Sequence, residues 1–247
     1  MNRWKTRIAA AVLVVFGPAL AAATESEPFN AAPALITSLL ETDAQLQGVP
    51  FSEVILSVTG KRVLPFTLTN APDRELLTKI SGALDRVLSE LNRTNHPAHR
   101  ERRINEVSAH FEQALREALN RVPGFACEFP KTAAGRQQRS GYPDLRLVDK
   151  TTDRVIYLDP KLFEHGSRGS SLRTFYYEPK RETNKVLDDA HHLLIGFEHT
   201  GKMDGHWQFL GWELVDLAHF RVRLKAEFQG SNRDLYRPEA VVGRSRQ

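Results

Sequence analysis

The chain has 247 residues, 41% of them hydrophobic and 26% charged, with a formal net charge of +4. Those proportions exclude a disordered or collagen-like polymer and leave enough apolar material for a sizeable core. Cys127 is the single cysteine, so an intrachain disulfide is excluded and stability has to come from packing.

Residues 1–23 read as a secretory signal. Arg3, Lys5 and Arg7 make a basic start, residues 8–16 are apolar, and Ala21-Ala22-Ala23 offers a small-residue cleavage site. The expected location is therefore periplasmic or extracellular. The apolar run, broken by Gly17-Pro18, is short for a membrane span, so no stable insertion is expected after cleavage near Ala23. Cleavage would remove three of the 34 Lys and Arg and none of the 30 acids, which lowers the net charge from +4 to +1. Nucleic-acid binding would then rest on a local patch rather than on bulk charge.

Residues 24–95 read as an N-terminal extension made of a polar linker, a helix, a β-hairpin and a second helix. The first helix is expected over 34–47, ending at Gly48. The hairpin is expected over 51–66, turning at Thr59-Gly60-Lys61, and the second helix over 73–91, with Asn70 and Asp73 as start signals. Residues 96–232 read as an α/β core and 233–247 as a basic tail. Within the core, Val107, Phe111, Leu115, Ala118, Leu119 and Val122 recur at helical spacing and predict an amphipathic helix over 104–122. A strand is expected over 126–129, where Cys127 reads as a small packed residue. Leu145, Leu147 and Val148, a polar turn over 149–153, and Val155, Ile156, Tyr157 and Leu158 predict a second β-hairpin. Farther on we expect a Gly/Ser loop over 167–171, an aromatic strand over 174–177, a helix over 185–192, and strands over 193–197 and 207–217. Phe175, Tyr176 and Tyr177 read as core in preference to a base-stacking platform beside Lys180 and Arg181.

The densest chemistry is Tyr142-Pro143-Asp144 followed by Asp159-Pro160-Lys161. Folding the hairpin about Thr151 brings Asp144 opposite Leu158 and beside Asp159, and strand alternation puts Asp159 and Lys161 on one face. Carboxylates that close repel unless a cation neutralises them. Hard divalent ions take carboxylate oxygens, which makes Mg²⁺ the expected occupant, with Mn²⁺ possible.

This pattern resembles the PD-(D/E)xK nuclease superfamily, over about residues 104–162. The order of a helix acid, a strand, a Gly/Arg/Gln-rich loop and the aspartate is similar to its resolvase branch. The resemblance implies a restriction endonuclease-like fold with a mixed central sheet flanked by helices, and a metal-dependent phosphodiesterase acting on nucleic acid. It implies Asp144, Asp159 and a helix acid as metal ligands, with Lys161 orienting the attacking water. Glu112 is the helix acid of choice, because it lies about 80° around the wheel from the centre of the apolar stripe, while Glu106 and Glu117 fall on the far, solvated side. Pro160 stands where the family has an apolar residue. Proline cannot donate to a ladder, so its nitrogen is expected to face no partner, while its carbonyl can still face the metal. Lys131, Arg136 and Arg139, just before Asp144, are the expected phosphate contacts, and His96, His99, Arg100, Arg102 and Arg103 form a second basic run.

Two rival readings stand beside this one. The first is a nuclease-fold binding module without catalysis, in the periplasm or outside the cell. The second is a zinc hydrolase built on His191, His192, His199, His206 and His219, which lack the usual HExxH spacing. The sequence leaves DNA or RNA, and the oligomeric state, open.

Overall fold

A computed structural model describes residues 32–244 apart from 173 and 226. The expected signal, residues 1–23, lies outside the described residues. Contacts divide the chain at Glu41/Thr42. Before that point stands helix α1 (Ala32–Glu41), shorter than the expected helix over 34–47. The second unit opens with a 3-10 turn at Asp43–Leu46, and Gly48 adopts a φ of 66°.

In the second unit the elements run β1 (Val49–Pro50), α2 (Phe51–Thr59), α3 (Ala71–Leu91), α4 (Ile104–Asn120), β2 (Phe125–Glu128), β3 (Leu145–Asp149), β4 (Arg154–Glu164), β5 (His191–Met203), β6 (His206–Asp216), β7 (Arg221–Val222) and α5 (Asn232–Leu235). Strands β2 to β6 form a five-stranded mixed sheet in chain order. Every neighbour is antiparallel except β4 and β5, which run parallel. The mixed central sheet flanked by helices is thus present.

Alternation along the strands decides which helix covers which face. Ile156 and Leu158 of β4 join Leu145, Leu147, Leu193, Ile195 and Phe197 under α3 and α4, whose Leu84, Val87, Phe111 and Leu115 fill the other half of this core. Tyr157 points the opposite way, into a second core with Phe51 and Ile55 of α2, Tyr142, Val186 and Leu217. Helix α3 is pinned to the start of β4 by Asp73, which accepts from Arg154 at 2.5 Å and from the Thr67 N–H at 2.6 Å. At the entry to β2, Gly124 has a φ of 85°, and a Cβ there would come within 2.9 Å of Thr151 Cγ2, so both backbone and space call for glycine.

Three expected elements are different. The hairpin over 51–66 is helix α2 with an extended tail, so the extension is not helix–hairpin–helix. Its β-branched residues masked a helical spacing, in which Phe51 and Ile55 are buried four apart and Gly60 caps the end in the left-handed region. The aromatic strand over 174–177 is irregular chain, with Phe175 and Tyr177 packed edge-on against Phe51 at 5.2 and 5.7 Å. The helix over 185–192 does not form. Leu187 and Asp188 N–H groups donate to the Tyr157 hydroxyl, Val186 N–H donates to Asn184 Oδ1, and β5 already begins at His191. Among its described residues, segment 165–190 is therefore a crossover between parallel strands with a 3-10 turn at Ser167–Gly169 but no α-helix, although a helix is the usual solution.

Candidate active site

The β3–β4 ladder pairs Leu145 with Leu158, one residue off the expected register. The Asp144 N–H nevertheless donates to the Leu158 carbonyl at 3.2 Å, which keeps Asp144 beside Asp159 at the end of the ladder. Because Leu158 turns its carbonyl toward β3, alternation turns the nitrogen and carbonyl of Pro160 to that side as well. There β3 has already ended: β4 continues to Glu164, paired only with β5 among the described strands. Proline is tolerated because the donor it lacks would meet no ladder partner.

The edge left open by β3 is one wall of a cleft of about 490 Å³. Asp144, Pro160 and Lys161 line it from the sheet, Ser108 and Glu112 from α4, and Arg139 from the loop before β3. The Lys161 ammonium lies 2.7 Å from Asp159 Oδ2 and 3.6 Å from Asp144 Oδ2. Asp159 is 2% exposed, and its Oδ2, despite that ionic contact, accepts no well-directed hydrogen bond among the described residues. Burial, then the charge of Asp159, pushes the Asp144 carboxyl well above the usual carboxylate range. Burial acts against the Lys161 ammonium, but the charges of Asp159 and Asp144 outweigh it and hold its pKa above that of an ordinary lysine.

Glu112 reaches the same cleft, where its Oε2 accepts from Arg139 at 2.6 Å. The Arg139 guanidinium also covers the Phe129 ring at 4.7 Å. Lys131 and Arg136 are exposed on the same loop and do not line the cleft. Glu106 closes the start of α4, accepting from the Arg102 and Arg103 N–H groups at 3.1 Å, and Glu117 meets Gln113 and Arg121. Of the second basic run, His99 is buried and bonded to Arg93 and Trp207, so it does not belong to an exposed patch.

Among the described residues no three His, Cys, Asp or Glu side chains stand together as a finished metal cage. The pair Asp144 and Asp159 nonetheless fits a hard cation: one buried carboxylate oxygen lacks a directed donor, and the neighbouring carboxyl is unfavourable as an anion until positive charge arrives. Glu112 would have to leave Arg139 to join them. The late histidines do not converge. His191 contacts Arg154 and Phe66, His192 is buried against Tyr142, and His199 accepts from the Gly201 N–H. Cys127 is packed, its thiol pushed up to about 12 by burial.

Two residues are given no role at the site by the sequence reading. Tyr142, two before Asp144, is held in the second core by a 2.6 Å hydrogen bond between its hydroxyl and His192 Nδ1. Lys185, 1% exposed, enters from the crossover and lies in electrostatic range of Asp144, Asp159 and Glu112. No periodicity marks it, since nothing around it is regular. A family profile described as the type II restriction enzyme MjaV family matches residues 44–239. The type II restriction enzyme MjaV of Methanocaldococcus jannaschii is 32% identical over 218 residues, which span 84% of this chain and 94% of that protein.

Proposed function

Because the chain belongs to the type II restriction enzyme MjaV family, we propose that it is an endonuclease that hydrolyses phosphodiester bonds of DNA, using Asp144, Asp159, Lys161 and Glu112 in the PD-(D/E)xK manner. One observation carries the assignment of the site. A single ammonium, that of Lys161, contacts both carboxylates at 2.7 and 3.6 Å in a cleft at the sheet's open edge.

A Mg²⁺ or Mn²⁺ held by Asp144, Asp159, the Pro160 carbonyl and a released Glu112 would supply electrostatic stabilisation of the phosphate and of the leaving oxygen. The chain's own residues do the rest. Lys161 donates to the attacking water and presents the water's lone pair to phosphorus. As the new P–O bond forms, the bond to the leaving sugar oxygen breaks, the water's proton passes to carboxylate or solvent, and the leaving oxygen takes a proton from solvent to become a hydroxyl. Arg139, once off Glu112, is free to hold a neighbouring phosphate, with Lys131 and Arg136 extending the contact along the strand. The basic, apolar and small-residue start over residues 1–23 adds export to this reading, and N-terminal sequencing of the mature protein from a periplasmic or culture fraction, expected to begin near Thr24, tests that part.

The central test is cleavage. The purified chain is expected to cut duplex DNA when Mg²⁺ or Mn²⁺ is present and to stop when EDTA is added. No cutting across a panel of duplex, branched and single-stranded substrates, with binding retained, would replace this reading with that of a nuclease-fold binding module.

A further inference from the structure

Lysine is among the residues least often buried, because its ammonium loses hydration unless a counter-ion or several acceptors replace water. Lys185 is 1% exposed. Its ammonium donates to the Gln138 carbonyl at a long 3.4 Å, and among the described residues no carboxylate comes within ion-pair distance. Burial lowers its pKa, opposed by the charges of Asp144, Asp159 and Glu112. The surrounding contacts show what the side chain is attached to. Asn184 accepts from the Ala133 N–H at 2.7 Å, and the loop carrying Ala133 and Gln138 leads through Arg139 to Asp144. The crossover thus grips the loop that delivers both the first catalytic aspartate and the arginine bound to Glu112.

We propose that Lys185 is a positioning residue for the cleavage reaction, a buried cation that draws the segment from Gln138 to Asp144 toward the carboxylate cluster and offsets part of the cluster's negative charge before a divalent ion arrives. This inference rests on the nuclease reading of the same site. It explains why an ill-solvated lysine sits in a position that a methionine of similar length would fill at less cost. The residue does not line the cleft, so it acts through Asp144 and the loop rather than on DNA.

The test compares full-length wild type with Lys185→Met and Lys185→Arg. Three properties are read: single-turnover cleavage of duplex DNA, Mn²⁺ affinity by titration without DNA, and thermal melting. Lys185→Met is expected to melt at or above the wild-type temperature, to bind Mn²⁺ about three- to tenfold more tightly because a competing cation is gone, and to cut roughly ten- to a hundredfold more slowly at unchanged DNA affinity. Lys185→Arg is expected to recover part of the rate and to return Mn²⁺ affinity toward wild type. A purely structural lysine would instead lower the melting temperature and leave Mn²⁺ affinity of the folded protein alone, and that result overturns the inference. Cleavage by Lys185→Met within about twofold of an active wild type also overturns it while leaving the nuclease reading intact. A wild type that cuts nothing and binds no Mn²⁺ overturns both.

Discussion

The β3–β4 hairpin and the crossover from β4 to β5 both reach the candidate site, yet they are built on opposite terms. In the hairpin, backbone groups are satisfied by the strand next door, so apolar alternation, turn residues and local sequence suffice to set it. In the crossover, the Tyr157 hydroxyl takes two amide donors and its own proton goes to Asp188, Arg146 holds Asp188, and Asp189 receives the Arg62 N–H. Each of those partners lies 30 or more residues away. Chemistry placed on the first kind of segment can be found by reading along the chain. Chemistry placed on the second, such as Lys185, becomes visible only in three dimensions.

The sharpest way to break this contrast is to separate activity from stability inside the hairpin. Asp144→Asn keeps the shape and removes a charge that burial and Asp159 already disfavour, so the variant should melt no lower than wild type. Cleavage should fall by at least about a thousandfold, since the carboxylate proposed to hold the metal ion is gone. Lys161→Met should also abolish cleavage, but it leaves buried Asp159 without its cation and should cost roughly 3 kcal/mol in urea unfolding. An active Asp144→Asn protein would remove the catalytic assignment and leave the hairpin a structural charge cluster.

The crossover makes the converse prediction. Tyr157→Phe deletes the oxygen that accepts from Leu187 and Asp188 and strands two amide donors in a partly buried setting. At about 1–3 kcal/mol per unmet group, a loss near 3 kcal/mol is expected in urea unfolding, with the m-value nearly unchanged. A loss under about 0.5 kcal/mol would show that water or the chain itself replaces the hydroxyl, and the crossover would then be less dependent on distant partners than its geometry indicates.

How much was legible follows the same division. The amphipathic spacing of α4 fixed which helix acid could reach the strand ends, and Glu112 lies in the cleft. Asp159 and Lys161 fell together because strand alternation is local. The ladder differs from the expected register by one residue at Asp144, whose N–H donates to the carbonyl of Leu158 although Leu158 is already paired with Leu145, and no sequence pattern announces it. The β-branched residues of α2 made a helix read as a hairpin, because Val and Ile favour strands in general while burial of Phe51 and Ile55 favours the helical spacing here.

Beneath both regions lies His192, whose side chain supports Tyr142 next to the hairpin. Burial, then the nearby His191, lowers its pKa from the ordinary value near 6.5 to about 3. The unfolded chain therefore binds this proton more readily than the native protein. The stability contribution is complete above about pH 6.5 and is lost as the pH falls from there toward 3. At pH 5 the loss is roughly 2 kcal/mol, at 1.36 kcal/mol per unit. His192→Gln should flatten that part of the pH–stability curve relative to wild type, as read by urea unfolding at pH 7 and 5. An unchanged slope would assign the acid sensitivity to other groups.

The smallest effects belong to the exposed cations of the loop before β3, whose proposed work is to hold phosphates at a distance from the chemistry. Lys131→Ala and Arg136→Ala should each weaken DNA binding a few-fold at moderate salt, equally for all sequences. Each should also reduce the slope of log affinity against log salt by about one, because one fewer counter-ion is released. Arg139 should behave differently, although it lies on the same loop. It is shared between Glu112 and the proposed phosphate, so Arg139→Ala frees the carboxylate for a metal ion while removing a DNA contact. Weaker DNA binding together with tighter Mn²⁺ binding is the expected signature, measured by fluorescence anisotropy and by titration. If all three variants lost only salt-dependent affinity and none changed Mn²⁺ binding, Arg139 would be an ordinary phosphate contact, and its bridge to Glu112 would play no part in how the site takes up a cation.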